Sequence, residues 1–384
     1  MFNIPLAWLQ LSREKMRLLI ALAGIAFAVI LMFMQLGFQA ALYDSATRFH
    51  QNLQGDLVLI SARSKSLGYM RTFSWRRLYQ VLSFDEVEAI GPVYVGFGDW
   101  RNPYNGNFRA IYVYGFELGT SVFKFPEVGQ NLDKLQLKEN ILFDRASRAE
   151  YGPIAKEFEQ GKSIVTELGG KRVNVIGLFT LGPSFGADGN VIVSDSNFLR
   201  LFSSYRKLGE IDIGVIQLKP HVDAAIVLKK IELSLPKDIK ILTKQGFIDF
   251  EKNYWQTSTS IGFIFTLGVG MGFIVGTVIV YQILYTDVSD HLAEYATLKA
   301  MGYKNLYLEL VVFQEAIILS ILGYIPGFAL SLGLYDLTQK ATFLPIEMKP
   351  DRALLVMILT ILMCSISGLI AVRRLRKADP ADIF

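Results

Sequence analysis

The sequence has little of what a disulfide-stabilised, metal-binding or catalytic protein needs. Its single cysteine, Cys364, lies in an apolar run, so no disulfide can form within one chain. The three histidines, at positions 50, 221 and 291, are scattered and lack the spacing of metal ligands. No nucleophile, base and acid can be grouped into a catalytic set, so the residues predict neither a catalytic nor a metal site.

The sequence also lacks an ATP site. A P-loop needs a glycine five residues before its Gly-Lys-Ser/Thr. Gly161, Lys162 and Ser163 supply the second half, but Lys156 holds the position of the first glycine. We therefore expect no ATP hydrolysis and no bound cofactor in this chain. The net charge is only +4 and no basic stripe is interleaved with aromatic residues, so a nucleic acid partner is not expected either.

Long apolar runs are what the chain does have. Hydrophobic residues make up 52% of the 384 positions, which exceeds the usual share in soluble proteins. The runs predict four transmembrane helices, at residues 18–42, 261–285, 308–334 and 353–372. The first, with about 25 residues, reaches about 37 Å and can cross a hydrocarbon core about 30 Å thick. A cleaved signal peptide is the alternative for this run, but the usual signal core is much shorter.

Residues 43–260 form one long polar insertion of domain size. Alternating polar and apolar residues predict strands at Asp56–Ile60, Phe108–Phe116, Arg172–Phe179, Asn190–Val193, Ile211–Leu218 and Ile239–Leu242. Helical periodicity predicts helices at Phe73–Leu82, Ser196–Phe202 and His221–Leu235. The fold class is therefore membrane α-helical with a large inserted extracytoplasmic α+β domain. The glycine-rich segment Leu181–Asn190 is either a solvated hairpin loop or a contact loop for a partner protein.

Basic residues cluster at the two ends of the chain. Arg13, Lys15 and Arg17 precede the first span, and four basic residues lie between positions 373 and 377. Such clusters mark the cytoplasmic side of a membrane. We therefore expect a cytoplasmic interfacial helix at residues 1–17 and a cytoplasmic tail at 373–384. With four spans, the insertion and the loop at 335–352 are extracytoplasmic, and residues 286–307 are cytoplasmic.

The cytoplasmic segment between the second and third spans is predicted to be a short two-faced helix. Its first turn carries acids and Gly302 stands where a capping glycine is expected. The polar face is predicted to include Asp287, Asp290, Glu294, Leu298 and Met301. Such a face suits docking on a partner, whereas the simpler interpretation is an ordinary interfacial loop helix.

Small and polar residues inside the spans leave two questions open. Gly268, Gly272 and Gly276 share one face of the second span, which favours close helix packing either within one protomer or in a dimer. Polar residues occur within the first and third spans at Gln35, Gln39, Gln314 and Glu315. They form either a polar substrate path or hydrogen bonds between helices.

Several phrases of the sequence resemble a known permease family. EYATLKAMGYKN, followed by LELVVFQEAI, resembles the cytoplasmic coupling segment of the FtsX/MacB permeases. The start LAWLQLSREKMRLL and the end RRLRKADPADIF are similar to those of the same family. KNYWQTSTSIGFIF and QEAIILSILGYIPG most resemble the DevC-type permeases of cyanobacteria. One departure is Ser289-Asp290-His291, where many relatives carry several basic residues.

The resemblance implies the permease subunit of an ABC exporter that works by mechanotransmission. Its location would be the inner membrane of a bacterium, specifically a cyanobacterium. It implies a homodimer paired through the second span, a separate ABC ATPase on the cytoplasmic helices, a periplasmic adaptor protein and a TolC-like outer-membrane duct. The cargo would be a membrane lipid such as a glycolipid. The alternative is an FtsX-like signalling transducer that controls a cell-wall hydrolase. A membrane enzyme acting on lipids is the rival from a different class.

Overall fold

The computed structural model describes residues 13–377, apart from the side chains of residues 300, 305 and 373–377. The chain divides into two compact units. The first, which we call the membrane unit, contains the chain up to residue 41, residues 260–342 and the chain from 346 onward. The second, the inserted domain, contains residues 42–259 and 343–345. Most of the interfacial helix predicted at 1–17, and the tail predicted after residue 377, lie outside the described residues.

The described part of the chain begins with a long helix, continues through strands and short helices, and ends mainly in long helices. The α-helices are α1 Lys15–Gln51, α2 Trp75–Val81, α3 Pro126–Gln130, α4 Leu132–Leu135, α5 Ile154–Glu159, α6 Asp195–Leu201, α7 Ala224–Ser234, α8 Lys244–Asn253, α9 Ser260–Asp290, α10 Leu292–Ala300, α11 Asn305–Thr342 and α12 Pro350–Lys377. The strands are β1 Leu57–Ser61, β2 Phe73–Ser74, β3 Val87–Arg101, β4 Phe108–Phe116, β5 Asn140–Asp144, β6 Ile164–Leu168, β7 Lys171–Phe179, β8 Asn190–Ser194, β9 Glu210–Ile211, β10 Ile213–Leu218 and β11 Ile239–Thr243. A π-helical turn, Tyr254–Ser258, follows α8.

The described residues contain four helices that are long and apolar enough to cross a membrane. Together with the inserted domain they confirm the predicted fold class. Every spanning helix is longer than its predicted span. α11 continues to Thr342 because Tyr335 is buried and donates a hydrogen bond to the carbonyl oxygen of Phe33. The loop predicted at 335–352 is therefore wrong at both ends, since only residues 343–349 are non-helical.

The inserted domain is built on a nine-stranded sheet in the order β11-β1-β10-β3-β4-β8-β5-β7-β6. The first half of β3 pairs with β10 and the second half, from Val93 to Arg101, pairs with β4. β3 also meets β6 where Trp100 pairs with Leu168, so part of the sheet closes on itself. Two apolar clusters fill the domain. Trp100 is fully buried in the first and donates its indole N–H to the carbonyl oxygen of Tyr151 at 3.1 Å. This mixture of strands and helices is the α+β domain that the sequence predicts.

The segment Leu181–Asn190 is not a hairpin loop. β7 and β8 flank it in the chain, but β5 lies between them in the sheet. Asp144, at the end of β5, is fully buried and holds the segment in place. Its carboxylate accepts hydrogen bonds from the backbone N–H groups of Leu181 and Gly182 and from the Asn190 amide, at 2.7–3.0 Å. Burial raises the pKa of Asp144, while these bonds favour the ionised form and oppose that rise.

We expect Asp144→Ala to destabilise the inserted domain by about 3 kcal/mol, because it leaves several buried donors without an acceptor. The measurement is chemical unfolding of the full chain in detergent, with Asp85→Ala as control, since Asp85 is exposed. Equal stability of the two variants would show that the Asp144 hydrogen bonds contribute nothing to the domain.

Candidate functional site

The segment between the second and third spanning helices is helical, but its boundaries differ from the prediction. α9 runs without a break from the membrane span to Asp290, and α10 begins at Leu292. Asp287 and Asp290 therefore lie in the last turn of α9 and not in the first turn of a separate helix, which corrects the prediction. Val280, Leu284 and Val288 are all buried. Their spacing of four extends one packed face past the predicted end of the span, so the helix continues.

The buried face of this segment is apolar. Val288 and Tyr295 pack with Leu308, Val312 and Val372 in one cluster, and Leu298 packs against it while half-buried. This arrangement fixes α10 against the ends of α11 and α12. Leu298 therefore packs within this chain while half-buried, and its entry into a groove on a partner stays a prediction.

A Schellman turn ends α10, as the prediction for Gly302 required. Gly302 has a φ of +97°, which favours glycine because a Cβ atom would be strained there. The Gly302 N–H donates to Lys299 O at 3.0 Å and the Tyr303 N–H donates to Leu298 O at 3.1 Å. These two bonds satisfy carbonyl groups that a helix end leaves open. The turn separates α10 from α11 within a few residues.

Asp287 lies inside the membrane unit and not on the polar surface that was predicted. Its side chain is only 6% exposed and lies 3.6 Å from both Arg17 and His291. Arg17 also pairs with Asp290 at 2.5 Å, and Asp290 remains about half exposed. Acids at a helix C-terminus are unfavourable toward the helix dipole, and Arg17 supplies the compensating charge. Asp287 is therefore buried, whereas Asp290 is accessible, and a contact of Asp290 with a partner stays a prediction.

The polar residues of the spans have different environments. Glu315 is fully buried, and within the described residues neither of its carboxylate oxygens has a hydrogen-bond partner. The Gln39 amide donates to the Thr266 hydroxyl at 3.0 Å, so it links α1 to α9 as the interhelical interpretation requires. Gln314 is exposed on α11. Among the described residues, no group of three or more ligating side chains could hold a metal ion.

The glycine face of α9 packs against other helices of the same chain, as the interpretation within one protomer requires, and its use in a dimer stays a prediction. A Cβ atom at Gly268 would meet Gln35, and one at Gly272 would lie 3.2 Å from Met32. At Gly276 it would lie 2.7 Å from Ala28 and 2.1 Å from Met363. These glycines admit α1 and α12 at close range, as small residues do in membrane helices.

The exposed surface of the segment is smaller than predicted and includes residues that the sequence did not single out. Glu294 and Thr297 are exposed on α10, and Met301 is 63% exposed beside the Schellman turn. Tyr303 and Leu306 follow at 45% and 66% exposure. We name these five residues the coupling surface. The sequence offers one signal for this surface, because the large apolar residues Tyr303 and Leu306 closely follow the capping glycine Gly302.

Comparison with known proteins matches both units of the chain. Residues 18–233 match the family described as MacB-like periplasmic core domain, and residues 266–380 match the family described as FtsX-like permease C-terminal. A comparison with curated protein sequences gives no match.

Two solved structures are similar in part. The periplasmic region of MacB from Actinobacillus actinomycetemcomitans has 13% identity and a TM-score of 0.36, over 54% of this chain and 94% of that one. The extracellular domain of the noncanonic ABC-type transporter YknZ from Gram-positive bacteria has 16% identity and a TM-score of 0.33, over 49% of this chain and 100% of that one.

We expect Gly276→Leu to destabilise the membrane unit by about 1–3 kcal/mol, because overpacking displaces neighbouring helices. Gly270→Leu is the matched control, since no heavy atom lies within 4 Å of its Cβ position. The measurement is the thermal unfolding midpoint of each variant in detergent, with crosslinking in membranes as a second readout. A stable Gly276→Leu variant that has lost only a crosslinked dimer would show that the glycine face is a dimer contact after all.

Proposed function

The chain belongs to the MacB/FtsX-like family of ABC permeases, and from this premise we propose that it is the transmembrane subunit of an ABC exporter driven by a separate ATPase. The observation that carries the proposal is the coupling surface. It exposes the acidic Glu294 on α10 and apolar side chains in the turn and at the start of α11 that follow, while the opposite face of α10 is packed. An exposed apolar anchor with charged neighbours is the pattern of a docking site.

The proposed orientation has both termini and the coupling surface in the cytoplasm and the inserted domain outside the inner membrane. Arg13, Lys15 and Arg17 precede the apolar part of α1, and four basic residues occupy positions 373–377. Basic residues near the ends of spans favour the cytoplasmic side. An even number of spans between two cytoplasmic termini then gives the insertion the extracytoplasmic location that suits a periplasmic core domain.

The proposed mechanism is mechanotransmission. Closure of two ATPase subunits on ATP would move the coupling surface, and that movement would pass along α1 and α9, the two helices between which the domain is inserted. The domain would then transfer cargo to a periplasmic adaptor and a TolC-like outer-membrane duct. The cargo in this proposal is a membrane lipid, following the resemblance to DevC-type permeases. ATP and Mg²⁺ would be bound by the partner and not by this chain.

The proposed assembly is a homodimer that uses a face other than the glycine face. One side of α9 exposes Phe263, Leu267, Met271, Ile274 and Val278. These residues recur every three or four positions and therefore form one apolar stripe. The stripe is available to a second copy of the chain or to lipid, whereas the glycines are occupied within the chain.

We expect Met301→Ala to weaken binding of the ATPase subunit about tenfold or more, because truncating an anchor at an interface has an effect of this size. Coupled ATP hydrolysis by the reconstituted complex should fall in proportion. Met357→Ala is the control, because it removes the same side chain from an exposed position on α12, outside both the coupling surface and the α9 stripe. Co-purification of the ATPase and its turnover rate are measured together.

Full binding and turnover by the Met301→Ala variant would contradict the docking role of the coupling surface. The identity of the extracytoplasmic partner separates the two transport-family alternatives. Co-purification with a periplasmic adaptor supports the exporter, and co-purification with a cell-wall hydrolase instead supports an FtsX-like signalling transducer. Turnover of a lipid by the purified chain without an ATPase would favour the enzyme.

A further inference from the structure

A cavity of about 770 Å³ in the inserted domain is lined by cationic side chains. It lies between the end of β1, the loop at residues 62–72 and the start of β11. Arg63, Lys65, Arg71 and Lys237 line it together with one carboxylate, Asp238. Asp238 already pairs with Arg77 at 3.3 Å. The cavity therefore carries an excess of positive charge that its own carboxylate does not balance.

The four cations are exposed, and none of them forms an ion pair with another residue in the described part of the chain. Lys and Arg side chains placed together without anions repel one another, so an anionic ligand stabilises the arrangement. The excess positive charge therefore predicts a ligand with negative charge. The concave shape predicts that the charged part of the ligand is one compact group.

The loop that carries three of these cations is held in a defined shape. The Arg71 N–H donates to the hydroxyl of Ser64 at 3.0 Å, and the Lys65 N–H donates to Tyr69 O at 3.2 Å. The Leu67 N–H donates to the buried carboxylate of Glu251 on α8 at 2.7 Å. These contacts fix the backbone of the loop before any ligand arrives. A preformed site of this kind loses less entropy on binding than a mobile loop would.

A second cavity, of about 530 Å³, continues the first. Lys65 and Tyr69 line both, and Tyr69 is in ring contact with Tyr254 at 6.0 Å between centroids. The second cavity extends to Ser258, two residues before the spanning helix α9 begins at Ser260. The second cavity therefore lies close, along the chain, to the start of a spanning helix. Tyr69 is exposed and Tyr254 is half-buried, and tyrosine is a residue enriched at membrane–water interfaces.

From these contacts we infer that the inserted domain binds the anionic headgroup of a membrane amphiphile, with the charge in the cationic cavity and the lipid body along the Tyr69–Tyr254 cavity. Each Lys or Arg side chain near a membrane surface adds to the attraction of anionic lipids. The inference rests on the proposed function for the location of the domain outside the inner membrane. It adds a charge requirement and a site for the cargo.

The test uses the full chain in phosphatidylcholine nanodiscs and titrates it by calorimetry with dihexanoyl phosphatidylglycerol below its micelle concentration. The cavity variant combines Arg63→Gln, Lys65→Gln and Arg71→Gln. The matched control combines Lys138→Gln, Lys207→Gln and Lys229→Gln, which remove the same charge from exposed lysines outside the cavity. We expect wild type and control to bind alike and the cavity variant to bind at least about tenfold more weakly.

Two further probes decide the chemistry of the ligand. Dihexanoyl phosphatidylcholine should bind much more weakly than dihexanoyl phosphatidylglycerol, because phosphatidylcholine has no net negative charge. Inorganic phosphate should also bind more weakly, because it does not use the second cavity. Equal binding of inorganic phosphate would overturn the amphiphile, and equal binding by the cavity variant would overturn the site.

The unfolding midpoint of the cavity variant shows whether it is folded, and the single variant Arg71→Gln serves as a milder test if it is not. The Arg71→Gln variant should bind dihexanoyl phosphatidylglycerol more weakly than wild type does, and equal binding would overturn the site. The titration needs no ATPase, so its failure would leave the proposed transport role standing. Failure of the Met301 experiment would likewise leave the lipid site standing.

Discussion

The hydrocarbon core of a membrane accepts only helices whose backbone groups are paired internally, and the organisation of this chain follows from that constraint. Four described helices satisfy it by length and composition. Some polar groups that remain inside have partners, as Asp287 has in Arg17 and Gln39 has in Thr266. In the described part of the chain, the two carboxylate oxygens of the buried Glu315 have no hydrogen-bond partner. Between the spanning helices, the polar stretches lie in the inserted domain, in the short helix α10 and in the connection at residues 343–349.

The same constraint explains the form of the coupling surface. Residues 291–304 connect α9 to α11, and within them α10 packs one face against the neighbouring helices and ends in a Schellman turn at Gly302. Packing uses Leu298 and Tyr295, and the turn leaves Met301 and Tyr303 exposed. The surface offered to a partner is therefore narrow. In the proposed function it is where the energy of ATP hydrolysis enters the chain, and the inserted domain is where that energy acts on an anionic lipid.

The periodic parts of the molecule were predictable and the long-range contacts were not. Phe108–Phe116 was predicted as a strand with its observed bounds, and the four spans were found because apolar runs of about 20 residues are typical of membrane helices. β3 was missed because Gly91, Pro92 and Gly96 interrupt its alternation. The burial of Asp287 and the packing of Gly276 depend on helices distant in the sequence, α1, α11 and α12. Periodicity within one segment cannot report which neighbour covers a face.

The proposed transport role is tested most directly by the side of the membrane on which the coupling surface and the inserted domain lie. In a Cys364→Ala background, Glu294→Cys tests the coupling surface and Leu208→Cys tests the inserted domain, since both positions are exposed. Intact spheroplasts are treated with a membrane-impermeant maleimide. We predict that position 208 is labelled in intact spheroplasts and that position 294 is labelled only after the membrane is opened. Labelling of position 294 in intact spheroplasts would contradict the proposed role, because a cytoplasmic ATPase could not then reach the coupling surface.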